Sequence, residues 1–221
     1  MPDSKSTLIT LTHPRSPAAE SYRALRANLM LYALEHPLHT LVVTSAAPGE
    51  DKSVPLANLA VVMAQGGQRV ILVDADLRHP AQHELFGAPN ERGLATLLEG
   101  QDALTAPPLT PATDVENLHL LTSGPLPPDP VALLSSKRME EFLAALLKRA
   151  DMVLLDAPPV LAAADAALLG MKADGVLLSV KAKHTSRDQV QQARERLEKV
   201  HVRIVGVALT NAAPDRTLAG Y

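Results

Sequence analysis

The stretch that most constrains this chain is TSAAPGEDKSVPLANL, residues 44–59. An apolar, β-branched run, Leu41-Val42-Val43, leads into it and predicts a buried strand. Small residues then make a turn, and Lys52-Ser53 opens an apolar helix through Leu56, Ala57 and Leu59. Strand, turn, Lys-Ser and helix is the layout of a phosphate-binding loop. Its backbone, from Ala47, Pro48, Gly49 and Glu50 through Asp51, Lys52, Ser53 and Val54, would cradle phosphates at a helix N-terminus. Lys52 would reach the terminal phosphates, and the Ser53 hydroxyl would ligate Mg²⁺.

Asp51 stands directly before the Lys, where such loops carry Gly. Gly lets the backbone approach the phosphates and adopt positive φ. Asp tolerates the left-handed region better than most residues, so its charge is the greater difficulty. A carboxylate about 5 Å from one phosphate charge costs roughly 3 kcal/mol at an effective dielectric near 20. That is about a hundredfold in affinity. The expectation is weak, strongly Mg²⁺-dependent nucleotide binding that Asp51→Gly tightens by about tenfold or more.

Taken in order, residues 1–15 are polar with scattered Pro and predict an extended arm. Ser16-Pro17 is a helix start, Ser as cap and Pro in the first turn. The helix over 18–34 carries Glu20, Arg23 and Arg26, each three residues apart and so close along one face. Strands are predicted at 39–45, 69–74, 118–121, 152–155, 175–180 and 203–209. Helices are predicted at 53–65, 81–85, 93–98, 131–134, 137–149, 162–170 and 185–200. Residues 103–117 read as a loop rich in Pro and Asp. The alternation predicts an α/β fold, a doubly wound, mostly parallel sheet flanked by helices. One domain over 16–211 and a mobile tail over 212–221 follow.

The strand at 69–74 ends in Asp74-Ala75-Asp76, and alternation turns both carboxylates to one side. In open α/β sheets that C-terminal edge is where ligands bind. The strand at 152–155 ends in Asp156, a second carboxylate placed to face Mg²⁺. Hydrophobic residues make up 47% but aromatics only 2%, so the core must be built from Leu, Val, Ala and Ile, as suits a buried parallel sheet. A net charge of −3 argues against a nucleic-acid partner with its need for a broad basic face. With no Cys, the chain offers no disulfide, no thiolate metal site and no ligand for an iron–sulfur cluster. Neither a signal pattern nor a bilayer-long apolar run is visible, which predicts a cytoplasmic protein that does not insert into the membrane but can dock on a membrane partner.

In order, SPAAESYRALRANL, TSAAPGEDKS followed by ANLA, ILVDADLRHP, GLATLLEG, LLTSGPLPPDPVALLSSKRM and LLDAPPV resemble segments of the bacterial tyrosine kinase family. These are the P-loop kinases of capsule and exopolysaccharide synthesis, within the MinD/ParA-like ATPases. The resemblance covers about residues 16–211. It implies that Lys52 and Ser53 lie in Walker A, Asp74 and Asp76 in Walker A′, and Asp156 in Walker B. It further implies ATP/ADP and Mg²⁺ as cofactors, with Ser53, Asp74 and Asp156 organising the metal. Lys52, Asp74, Asp76 and Asp156 would be catalytic, Asp76 accepting the tyrosine proton. Asn211 falls where relatives contact adenine. Glu20, Arg23 and Arg26 match the family's E-x-x-R-x-x-R oligomerisation signature, implying a ring-like homo-oligomer. The implied partner is a membrane-bound polysaccharide co-polymerase-type adaptor that recruits the kinase to the inner face of the membrane. The family's tyrosine cluster is reduced here to Tyr221, the expected autophosphorylation site. Two alternatives stand beside the kinase: a pseudokinase regulating the same machinery, and a MinD/ParA-like positioning ATPase. Against the latter, Ala46-Ala47 lacks the extra early Lys of those ATPases.

Overall fold

A computed structural model describes residues 8–100, 104, 106–112 and 115–212. In chain order the elements begin with α1 (Ile9–Thr12), α2 (Pro17–Glu35), β1 (Thr40–Ser45), α3 (Ser53–Gln65) and β2 (Val70–Asp74). Next come α4 (Gln82–Phe86), α5 (Leu94–Glu99), β3 (Thr110–Pro111), β4 (Leu118–Leu121), α6 (Pro130–Ser135) and α7 (Lys137–Leu147). The last are β5 (Met152–Asp156), α8 (Asp165–Gly170), β6 (Gly175–Lys181), α9 (Arg187–Glu198) and β7 (Ile204–Thr210).

The seven strands form one sheet in the order β3-β4-β2-β5-β1-β6-β7. Every pairing is parallel except the short antiparallel β3–β4 contact. Each central strand is buried on both faces and alternates between two cores. Val42, Ile71, Val73, Val153 and Leu155 point to the side covered by α5 to α9, where Phe142 and Leu146 pack. Leu41, Val43, Leu72 and Leu154 point to the other, against Leu56, Leu59 and Met63 of α3 and Leu29 of α2. The scarcity of aromatic residues is thus met by aliphatic side chains on both faces, as a helix-covered parallel sheet requires.

Local signals set the helix starts. The Ser16 hydroxyl accepts the Ala19 N–H at α2 and the Ser186 hydroxyl accepts the Gln189 N–H at α9. Asp129 and Ser136 cap α6 and α7 in the same way.

Three expectations are corrected. The described part of the N-terminal arm is not extended: Ile9–Thr12 form a helical turn, and both the N–H and the hydroxyl of buried Thr10 donate to the side-chain Oδ1 of Asn58 in α3. That pairing satisfies a polar side chain inside an otherwise apolar helix, and it pins the arm. The loop at 103–117 contains β3, whose Thr110 and Pro111 extend the sheet edge. The helix read at 162–170 starts only at Asp165, after a turn. Most of the predicted mobile tail, residues 213–221 with Tyr221, lies outside the described residues.

Candidate functional site

The site lies at the C-terminal edge of β1, β2 and β5, neighbours at the centre of the sheet. The parallel register sets Asp74 directly beside Asp156 and Asp156 beside Val43, so two carboxylates meet at the foot of the loop after β1. Lys52 is the residue before the first turn of α3. Its Nζ lies 2.8 Å from Asp76 Oδ2 and 2.9 Å from Asp156 Oδ1, and 3.4 Å from the Ser53 hydroxyl. The Lys52 side chain is only 8% exposed. Burial alone would lower its pKa, but the charges of Asp156 and Asp76 overrule it and hold the ammonium above its ordinary value.

The carboxylates differ in their surroundings. Asp76 Oδ1 accepts the backbone N–H groups of Arg78 and His79. Asp156 Oδ2 accepts from the Gln82 amide, which also donates to the Ser53 carbonyl. Asp74 Oδ2 accepts the N–H groups of Ala81 and Gln82, while its Oδ1 is buried without a partner. Burial first, and the Asp156 charge second, push the Asp74 carboxyl well above the usual carboxylate range. An orphaned carboxylate oxygen beside a second buried carboxylate and a helix-opening Ser is a donor set that fits a hard, oxygen-seeking divalent cation.

The loop is braced from within. The Glu50 carboxylate accepts the N–H groups of Ala46 and Ala47, so Glu50 folds inward and is buried. Positive φ falls on Gly49, at 85°, and Asp51 does not adopt the left-handed conformation. The replacement of Gly at position 51 therefore carries no backbone strain. The Asp51 carboxylate is turned aside to Lys181 at the end of β6, with Oδ2 2.6 Å from Nζ.

A cleft of about 590 Å³ opens above these groups, lined by residues 48–54 of the loop, Asp76, Arg78, His79, Ala81, Pro158, Pro159 and Ala162. Of the sequence-predicted residues, Lys52, Ser53, Asp74, Asp76 and Asp156 are brought together. Ala47 and Asn211 do not line the cleft. Ala47 gives its N–H to Glu50, and Asn211 follows β7 at the sheet margin with φ of 53°. Glu20 pairs with Arg23 at 2.9 Å within α2, and Arg26 lies against Gly66, the C-cap of α3. The sequence reading missed Gln82, Lys181 and the Arg78–Asp165 pair. Arg78 makes two hydrogen bonds of 2.9 Å to the fully buried Asp165 and so fixes the cleft wall. Arg78 does stand in ILVDADLRHP, the one signal that could have singled it out.

A seven-stranded, mostly parallel sheet with this loop and these carboxylates defines a P-loop NTPase. The chain matches the family model described as ParA, NUBPL iron-transfer P-loop NTPase, over residues 37–212. It is 40% identical over 202 residues to the tyrosine-protein kinase YwqD of Bacillus subtilis (strain 168), covering 91% of this chain and 84% of that protein. It is 31% identical over 224 residues to the putative tyrosine-protein kinase CapB of Staphylococcus aureus, covering 100% of this chain and 97% of that one. The solved kinase domain of Escherichia coli tyrosine kinase ETK superposes with a TM-score of 0.86 at 32% identity, over 94% of this chain and 82% of that chain. The chain belongs to the bacterial tyrosine-kinase family of P-loop NTPases, and that membership implies nucleotide binding. Among the described residues no helix is long and apolar enough to cross a membrane.

Proposed function

We propose that this protein is an ATP-dependent protein-tyrosine kinase that regulates capsular or exopolysaccharide synthesis. The observation that carries the reading is the convergence of Lys52, Asp76 and Asp156 within 2.9 Å, with Asp74 in register beside Asp156. Phosphoryl transfer needs charge neutralisation and positioning more than covalent help, and these groups supply both. Ser53, Asp74 and Asp156 would hold Mg²⁺, which with ATP supplies the activated phosphoryl group and neutralises its charge. Lys52 binds phosphate oxygens. Asp76 accepts the tyrosyl proton on Oδ2, the oxygen that Lys52 must release, because Oδ1 is committed to two backbone N–H groups.

Transfer of the labelled γ-phosphate of ATP to tyrosine tests this. The wild type should label in Mg²⁺, and Lys52→Met and Asp76→Asn should not. Phosphate is expected on Tyr221, passed between subunits. Tyr22 packs against the core and Tyr32 stacks on His36, so neither is free to enter a neighbouring site. Phosphate mapped only to Tyr22 or Tyr32 would refute the assignment.

One observation favours the pseudokinase alternative: the Lys52 ammonium is tied to Asp76 and Asp156 and must leave them before it can meet a phosphate. Mg²⁺-dependent ADP binding without any phosphotyrosine would select it. The kinase is proposed to work as a ring-like homo-oligomer, docked by a membrane-bound adaptor at the inner face of the membrane. Support for the ring is that α2 carries Glu20, Arg23 and Arg26 and also exposes Met30, Leu31 and Leu34. Changing the three charged residues to Ala should leave a folded monomer by light scattering, and an unchanged oligomer would exclude this face.

A further inference from the structure

We propose that Lys181 is a positioning residue of the nucleotide site: it neutralises Asp51 and holds its carboxylate out of the phosphate cradle. The proposal rests on the reading of the loop as a nucleotide site. Asp51 lines the cleft beside Lys52, at the point where phosphates would lie against the loop. An unpaired carboxylate there would repel them. Instead Asp51 Oδ2 lies 2.6 Å from Lys181 Nζ.

Lys181 is built to stay in place. It is the last residue of β6, in register with Thr210 of β7. Strand β6 is the parallel neighbour of β1, with Ser179 beside Ser45, so β6 carries Lys181 two residues past the end of β1 and alongside the loop. A turn closes on its backbone: its N–H donates to the Thr185 hydroxyl, and its carbonyl accepts the N–H groups of His184 and Thr185. The same turn brings His184 over the loop, where its Nε2 would stand 3.5 Å from a Cβ placed on Gly49. A Lys fixed at its Cα loses less freedom on pairing than one on a mobile loop. Its side chain is 24% exposed against 60% for Asp51, so the pair is anchored from the Lys181 side. The charge penalty of the Asp51 substitution is therefore latent, and it emerges when Lys181 is removed.

The test is calorimetric titration with Mg-ADP of the wild type, Lys181→Met, Lys181→Arg, Asp51→Gly and the Lys181→Met/Asp51→Gly double variant. Lys181→Met should weaken binding by about tenfold, because a carboxylate charge is uncovered near the phosphates. Lys181→Arg should restore it to within about threefold, since it keeps the charge but not the ammonium geometry. In the Lys181→Met background, Asp51→Gly should bring the affinity back to that of the wild type or tighter. Wild-type affinity in Lys181→Met would overturn the proposal. So would a loss that persists after Asp51→Gly, which would mean that Lys181 acts on the nucleotide or the fold and not through Asp51. Should Lys181→Met fail to fold, Lys181→Gln carries the same comparison. Failure of every protein to bind Mg-ADP would instead overturn the nucleotide reading itself.

Discussion

Replacing Lys52 with Met removes the cation that, among the described residues, contacts both Asp76 and Asp156. Each of the two contacts, at 2.8 and 2.9 Å, is worth about 6 kcal/mol of gross Coulomb attraction at an effective dielectric near 20. Most of that attraction offsets the cost of taking three charged groups out of water. The loss on removing one partner is instead set by the charges left behind. Asp156 is fully buried and Asp76 nearly so, with the buried Asp74 in register alongside. Breaking a buried pair in this way costs about 3–5 kcal/mol. For a chain of this size that is a fall of about 6–20 °C in melting temperature. The deficit should be largest near pH 8 and shrink towards pH 5, roughly, because Asp74, already held above the usual carboxylate range and now without the Lys52 charge that opposes that shift, takes up a proton as the pH falls. Lys52 itself stays charged across that range, its pKa being held above the ordinary value. Mg²⁺ alone should stabilise the variant more than the wild type, because Lys52 no longer competes for the carboxylates. Calorimetric melting of both proteins at the two pH values, with and without Mg²⁺, reads all three effects. Equal melting temperatures near pH 8 would refute the reasoning, since no buried charge would then have been uncovered.

Asp74→Asn is expected to melt above the wild type near pH 8. The folded protein holds the Asp74 proton more tightly than the unfolded chain does, so stability is lost as pH rises through the raised folded value; Asn, isosteric with the protonated carboxyl, escapes that loss. A lower melting temperature for Asp74→Asn near pH 8 would overturn this. Arg78→Ala leaves the buried Asp165 without its two charge-assisted bonds, and urea unfolding should show a loss of about 1.5–3 kcal/mol, less than for a fully buried pair because the Arg78 side chain is 37% exposed. A change under about 0.5 kcal/mol would mean that water replaces Arg78 at no cost.

How much of this was legible in the sequence depends on how local each feature is. The core strands, their mostly parallel pairing and the three Asp residues were readable because a doubly wound sheet writes its core as short apolar runs and its ligands at their ends. Strand β3 was not, because a two-residue edge strand containing Pro has no periodicity and takes its structure from pairing with β4. The docked arm was missed for a related reason. Thr10 and Asn58 look like ordinary polar residues until the fold sets them 2.8 Å apart across 48 positions of sequence. Glu50 was read as loop backbone, yet its side chain supplies an acceptor to two N–H groups four and three residues upstream.

Position 51 shows most sharply where sequence reasoning stops. The loss of Gly could be read from the motif, and so could two possible penalties, strain and charge. The structure removes the first by placing the positive φ at Gly49. It meets the second with a residue 130 positions away, on a strand that neighbours the loop only because the parallel order is β5-β1-β6. No local pattern around Lys181 announces this: LLSVKAKHTS reads as a strand running into a polar turn, and its lysines look like solvated charges. A degenerate motif is therefore weak evidence of an abandoned site until the strands flanking the loop have been searched for the compensating charge. In this fold the place to search is the end of the strand parallel to the one that feeds the loop, since that strand ends at the same sheet edge as the phosphates would occupy.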